Sequence, residues 1–130
     1  MAKPVPLGTK AEVEEVVELK HTLHYHHPML PPIYSTPDMI RLMETACFQA
    51  LLPFHDAGEL NVGTAINVEH RAATGIGARV KAEGVLESFD GKFYVMRVRA
   101  WDDKQEIGRG TVTRAMVHLP RLMTRVEGKK

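Results

Sequence analysis

The chain has 130 residues, 44% of them hydrophobic and 25% charged, the composition of one compact globular domain rather than of a disordered or membrane-embedded chain. Seventeen basic residues against sixteen acidic ones leave no positive excess to hold it on a phosphate backbone, which argues against a nucleic-acid partner. No apolar run approaches the roughly 20 residues that a bilayer span needs, which argues against a membrane partner.

The start MAKPVPLGTK lacks the apolar core of a signal peptide, and Cys47 has no second cysteine to pair with; both suit a cytoplasmic location. A single domain is expected over residues 1–130, with flexible ends at about 1–10 and 127–130. In Glu12 to Leu23 the apolar residues Val13, Val17, Leu19 and Leu23 fall on odd positions, which favours a strand. The stretch from His27 to Pro37 holds Pro28, Pro31, Pro32 and Pro37, and reads as a shaped loop because proline has no amide to donate.

Thr36 is a good N-cap and Pro37 a good first helical residue, so a helix is expected from there to about Leu52, closed by Pro53. On a helical wheel Asp38, Arg41, Thr45 and Gln49 share one narrow polar stripe, while Met39, Ile40, Met43, Ala46, Cys47, Ala50 and Leu51 cover the rest. Such a helix is wrapped on most sides. Four strands are then expected at Val62–Arg71, Ile76–Ser88, Lys92–Trp101 and Ile107–Leu119, with turn signals between them. Their short links imply antiparallel pairing, and the one helix must cover the sheet's apolar face. The fold class is therefore α+β, an antiparallel sheet of about five strands wrapped around one central helix.

Three residues carry candidate chemistry. Glu44 lies at the edge of the helix's apolar arc, where it could act as a base or equally form an i, i+3 surface pair with Arg41. His70 ends a strand whose even positions Val62, Thr64, Ile66 and Val68 are expected to face the helix; it suits a general base or a histidine satisfied at the sheet margin. Thr36 suits capping, and places a hydroxyl near free amides that would stabilise an oxyanion. His21, His24, His26 and His27 match no metal-ligand spacing, and Cys47 has no adjacent motif. No glycine loop for a nucleotide cofactor is present, since Gly75-Ile76-Gly77 lacks the third glycine. Gly108 and Gly110 read as places of close backbone approach.

Three blocks together resemble the hotdog-fold thioesterases, and within them the fluoroacetyl-CoA thioesterase type. They are Ser35-Thr36-Pro37 leading to Leu42-Met43-Glu44-Thr45-Ala46-Cys47, Val62-Gly63-Thr64-Ala65-Ile66-Asn67-Val68-Glu69-His70-Arg71-Ala72-Ala73-Thr74, and Glu106-Ile107-Gly108-Arg109-Gly110-Thr111 leading to Arg114-Ala115. The resemblance implies a hotdog fold, hydrolysis of a small acyl-CoA, a homodimer with sites near the subunit interface, and no cofactor beyond the CoA of the substrate. It assigns the catalytic set to Thr36, Glu44 and His70, the acyl-facing glycine to Gly63, and the family's arginine near the end of the last strand to Arg114. Leu30 and Met43, with Met39 and Ile33, are expected along the acyl pocket, and Arg79, Lys81, Arg97 or Arg99 could meet the CoA phosphates. Fluoroacetyl-selective members carry phenylalanines in the loop before the threonine, where this chain has His27 and Leu30; fluoroacetyl selectivity is therefore not among the things the resemblance implies. The rival readings are a hydratase or dehydratase acting on an acyl thioester and a non-catalytic acyl-CoA-binding domain.

Overall fold

Alternating strands joined by tight turns form one antiparallel sheet in the computed structural model, which describes residues 2–128. The strands are β1 Lys10–Val16, β2 Glu59–His70, β3 Arg79–Phe89, β4 Phe93–Trp101 and β5 Glu106–His118. They lie in the order β1-β3-β4-β5-β2, every neighbouring pair antiparallel. Among the described residues three α-helices accompany them: the single turn α1 Leu23–His26, the long α2 Thr36–Leu51 and α3 Leu119–Glu127.

The sheet curls around α2, whose Met39, Leu42, Met43, Ala46, Cys47, Ala50 and Leu51 are all buried. They meet Val80, Ala82 and Leu86 of β3, Met96, Val98 and Ala100 of β4, and Ile107 and Val112 of β5. Burying an aliphatic side chain of this size contributes roughly 1.5–3 kcal/mol, so this interface supplies most of the drive to fold. The helix can sit so close because glycines line its bed. A Cβ at Gly84 would stand 2.7 Å from Cys47 Sγ, and one at Gly108 2.6 Å from Met39 Sδ. A Cβ at Gly110 would collide with the Asn67 carbonyl, so both glycines of β5 are places of close approach, as expected.

Several expectations need correction. The first strand stops at Val16, and a 3-10 turn Leu19–His21 precedes α1, because Thr22 turns the chain by accepting the Tyr25 amide. Before β1 the Lys3 amide donates to the Phe54 carbonyl at 3.0 Å and the Gly8 amide to the Leu86 carbonyl at 2.8 Å. At the other end α3 runs to Glu127, so α2 is not the sole helix; residues 129–130 lie outside the described residues. Pro120, which suggests a stop, sits in the first turn of α3, where a missing amide is harmless.

A bulge interrupts β2. Gly63 pairs with Arg114 and Ala65 with Thr113, leaving Thr64 as an extra residue. Each inserted residue exchanges the faces of a strand. Asn61 is buried before the bulge, whereas Val68 packs on the core after it. Thus Val68 and His70 face the helix side as expected, while Val62 and Thr64 do not share that face. The edge of β2 away from β5 has no neighbour, and residues 63–67 are exposed, Ile66 to 48%.

Candidate active site

The loop before α2 delivers Thr36 with its hydroxyl unspent, because Ser35 is the N-cap: its Oγ accepts the Asp38 amide at 3.1 Å. This corrects the expectation that Thr36 caps the helix. Thr36 Oγ1 instead lies 2.8 Å from His70 Nδ1, which joins the start of α2 to the end of β2. The His70 Nε2 atom is enclosed without a hydrogen-bond partner. Burial pushes the His70 pKa below its ordinary value, with the nearby Ala72 backbone opposing more weakly. The ring is therefore held in the neutral form that can take up a proton.

Thr36 and His70 line an open cavity of about 290 Å³ with Leu23, Ile33, Tyr34, Arg71, Ala72 and Ala73. At the end of α2's first turn Met39 donates its amide to the Ser35 carbonyl at 3.0 Å, and Pro37 has no amide to give. Thr36, at the first position of the helix, has no carbonyl within the helix for its amide.

Glu44 lies eight residues further along α2, a rise of about 12 Å. Its carboxylate is not engaged by Arg41, which pairs with Glu15 at 2.7 Å and with Asp38 at 3.5 Å. Arg114, 5% exposed, donates from Nη1 to Glu44 Oε2 at 3.2 Å. That same oxygen occupies the space a side chain at Gly63 would take. Arg114 is anchored in turn, donating from Nε to Asn61 Oδ1 and from Nη2 to the Asn61 carbonyl at 3.0 Å. A second opening of about 270 Å³ exposes Glu44 among Arg41, Thr45, Phe48 and Arg114.

One chain thus brings Thr36 to His70, and Glu44 to Gly63 and Arg114, but keeps the two groups apart. Leu30 and Met43 do not line either opening: Leu30 is 42% exposed on its loop, and Met43, like Met39, is sealed in the core. Ile33 does line the cavity at Thr36. Sequence reasoning missed Ser35 as the cap, Arg71 on the cavity wall, and Asn61, whose only sign in the sequence is a polar residue two places before Gly63. Arg79, Arg97 and Arg99 are matched with Glu14, Glu87 and Glu106, as a solvated strand face would be. The four clustered histidines are each satisfied locally or paired with a carboxylate, and no metal-binding group is found among the described residues. Cys47 is buried, its thiol pushed up to about 12 by that burial, which makes it a core residue rather than a nucleophile. Among the described residues no helix is long and apolar enough to cross a membrane.

The family of fluoroacetyl-CoA-specific thioesterases matches residues 17–119. The fluoroacetyl-CoA thioesterase of Streptantibioticus cattleyicolor is 41% identical over 99 residues, 76% of this chain and 71% of its own length. A solved structure of a fluoroacetyl-CoA thioesterase superposes with a TM-score of 0.91 at 34% identity, covering 98% of this chain and 99% of that one. A variant of such an enzyme in complex with fluoroacetate and CoA superposes at 0.83 and 35% identity, covering 91% and 99%. A thioesterase superfamily member from Thermus thermophilus gives 0.88 at 27% identity, covering 97% and 96%.

Proposed function

The chain belongs to the fluoroacetyl-CoA-specific thioesterase family, with its hotdog fold, and on that premise we propose that it hydrolyses a small acyl-CoA with Thr36, Glu44 and His70. It is a thioester hydrolase acting on acyl-CoA; the residue roles and the acyl group are our reading. The observation that carries it is Glu44. Its carboxylate is held by a buried arginine, one oxygen toward Gly63, and is still 32% exposed to an incoming group.

In this reading the thioester carbonyl lies against the backbone at Gly63, whose amide polarises it. Glu44 removes the proton of a water that attacks the carbonyl, or attacks the carbonyl itself to form a mixed anhydride that water then hydrolyses; in either case the carbon–sulfur bond breaks and the thiolate of CoA leaves. Thr36 and neutral His70, joined through Oγ1 and Nδ1, orient the reacting group and carry the proton. Thiolate is a good leaving group, so this set needs no metal or redox cofactor, and CoA enters only as part of the substrate.

Two chains complete the site. The unpaired edge of β2 runs between Gly63 and His70, and a second copy pairing there antiparallel about the middle of the strand sets one chain's Gly63 beside its partner's His70. A homodimer unites the two groups that one chain separates. Arg71, on the wall of the Thr36 cavity and 3.6 Å from Glu69, then suits a CoA phosphate by its position rather than by lacking a carboxylate partner. The loop before α2 has His27 and Leu30 in place of the family's phenylalanines, so fluoroacetyl selectivity is not part of this reading. A cytoplasmic setting suits a CoA substrate.

The experiment is thiol release from acyl-CoAs of graded chain length by the wild type, Glu44→Gln and His70→Ala. Gln keeps an acceptor for Arg114, so the variant avoids the several kcal/mol that an unpaired buried charge costs. Turnover falls by about 10²-fold or more in each variant while both remain folded. Absence of thiol release by the wild type sinks the hydrolase reading; a hydratase or a binding domain would leave the thioester intact.

A further inference from the structure

Asn61 has to choose which way round its amide sits, and its neighbours make that choice. Arg114 Nε can only donate, so Asn61 must turn Oδ1 toward it, as it does. The Asn61 NH2 group then needs an acceptor in a region where the side chain is 2% exposed. It finds His55 Nε2 at 2.8 Å and, more weakly, the Phe48 carbonyl at 3.4 Å. His55 can accept only if Nε2 is bare and the ring neutral, with its proton on the enclosed Nδ1.

We propose that His55 and Asn61 are positioning residues, which lock the guanidinium of Arg114 so that it holds Glu44 over Gly63. The inference rests on the role given to Glu44 above. The relay runs from the turn after α2, through β2 and β5, back to the middle of α2. Each contact of Asn61 with Arg114 and His55 has one arrangement of donor and acceptor that satisfies it, and the His55 Nδ1–H is the group left without a hydrogen-bond partner. Turning the Asn61 amide over would set its NH2 against the Arg114 Nε–H, two donors face to face, and leave Asn61 holding the guanidinium by its backbone carbonyl alone. Burial lowers the His55 pKa, opposed by nearby Glu59 and aided by the Arg114 charge, so the accepting form is the one favoured. Phe48, which packs edge-on against His55 with ring centroids 6.1 Å apart, keeps the ring in place.

Two substitutions separate this role from packing. His55→Phe keeps an aromatic ring against Phe48 but removes the acceptor; His55→Gln offers Oε1 as an acceptor in a different shape. We expect His55→Phe to lower kcat about tenfold with KM unchanged, and His55→Gln to recover most of it. In parallel, the Arg114 Nε–H resonance in a 15N spectrum should be protected from solvent exchange in the wild type and in His55→Gln, and lose protection in His55→Phe. The proposal is overturned if His55→Phe keeps both its kcat and that protection, or if His55→Gln falls as far as His55→Phe. Full activity in Glu44→Gln would instead remove the catalytic role of Glu44, while the Arg114 resonance would still report whether His55 holds the guanidinium.

Discussion

Glu44 reaches its place only because position 63 has no side chain. A methyl group there would meet the end of the Glu44 side chain, which can swing aside, rather than backbone, which cannot. Gly63→Ala should therefore cost little stability yet lower kcat by at least about tenfold, since a displacement near 1 Å at a reacting group is expensive. Steady-state kinetics beside a thermal melt measure the two effects separately. His70 gives a second prediction. Its folded pKa lies below the ~6.5 of an exposed histidine, so between those values the unfolded chain binds more protons. Its contribution to stability is complete above about pH 6.5 and is lost as pH falls through that window toward the folded pKa. The Tm of the wild type should drop as pH is lowered from about 7 to 5, and less steeply in His70→Asn. Some slope will remain, because His55 is shifted in the same direction.

At the scale of elements, the spacing between α2 and the sheet depends on Gly84. A Cβ there would stand 2.7 Å from Cys47 Sγ and 3.1 Å from the Cys47 amide nitrogen, and the backbone of a packed helix has nowhere to retreat. Gly84→Ala should destabilise the protein by about 1–3 kcal/mol, read as a lowered denaturant midpoint. The elements themselves were largely legible: alternation and turn residues marked β2 to β5, and Thr36-Pro37 marked the start of α2 to within one residue. What escaped has physical reasons. Ser35 and Thr36 are both good caps, and only the approach of His70 decides that Thr36 is used elsewhere. The bulge at Thr64 hides because Gly63 and Ala65, being small, suit either face. Placement of Arg114 against Glu44 depends on that bulge and on register between strands far apart in sequence, which no local pattern carries.

At the scale of the whole molecule, the division of the candidate site between two places predicts complementation. Glu44→Gln and His70→Ala, each inactive alone, should regain activity when unfolded together and refolded. Random pairing makes about half of the dimers mixed, and each mixed dimer has one intact site of two, so recovery approaches about a quarter of wild-type activity. A mixture that stays inactive would place each site within one chain, and a monomeric mass by light scattering would remove the shared site altogether. The proposed homodimer would also answer a hazard of the fold, since an exposed edge as long as β2 is a template for uncontrolled pairing.

The extra residue at Thr64 bears on how this protein can change. Deleting it would give β2 an unbroken alternation and, by the usual measures of strand regularity, a better strand. It would also rotate one half of β2 against the other, so that if Asn61 and Gly63 kept their seats, His70 would turn away from Thr36, and if His70 kept its seat, Glu44 and Arg114 would lose theirs. Drift toward a more ideal sheet is thus closed to this lineage while it keeps its chemistry, and single-residue length changes in β2 should be rarer among its descendants than substitutions of any kind.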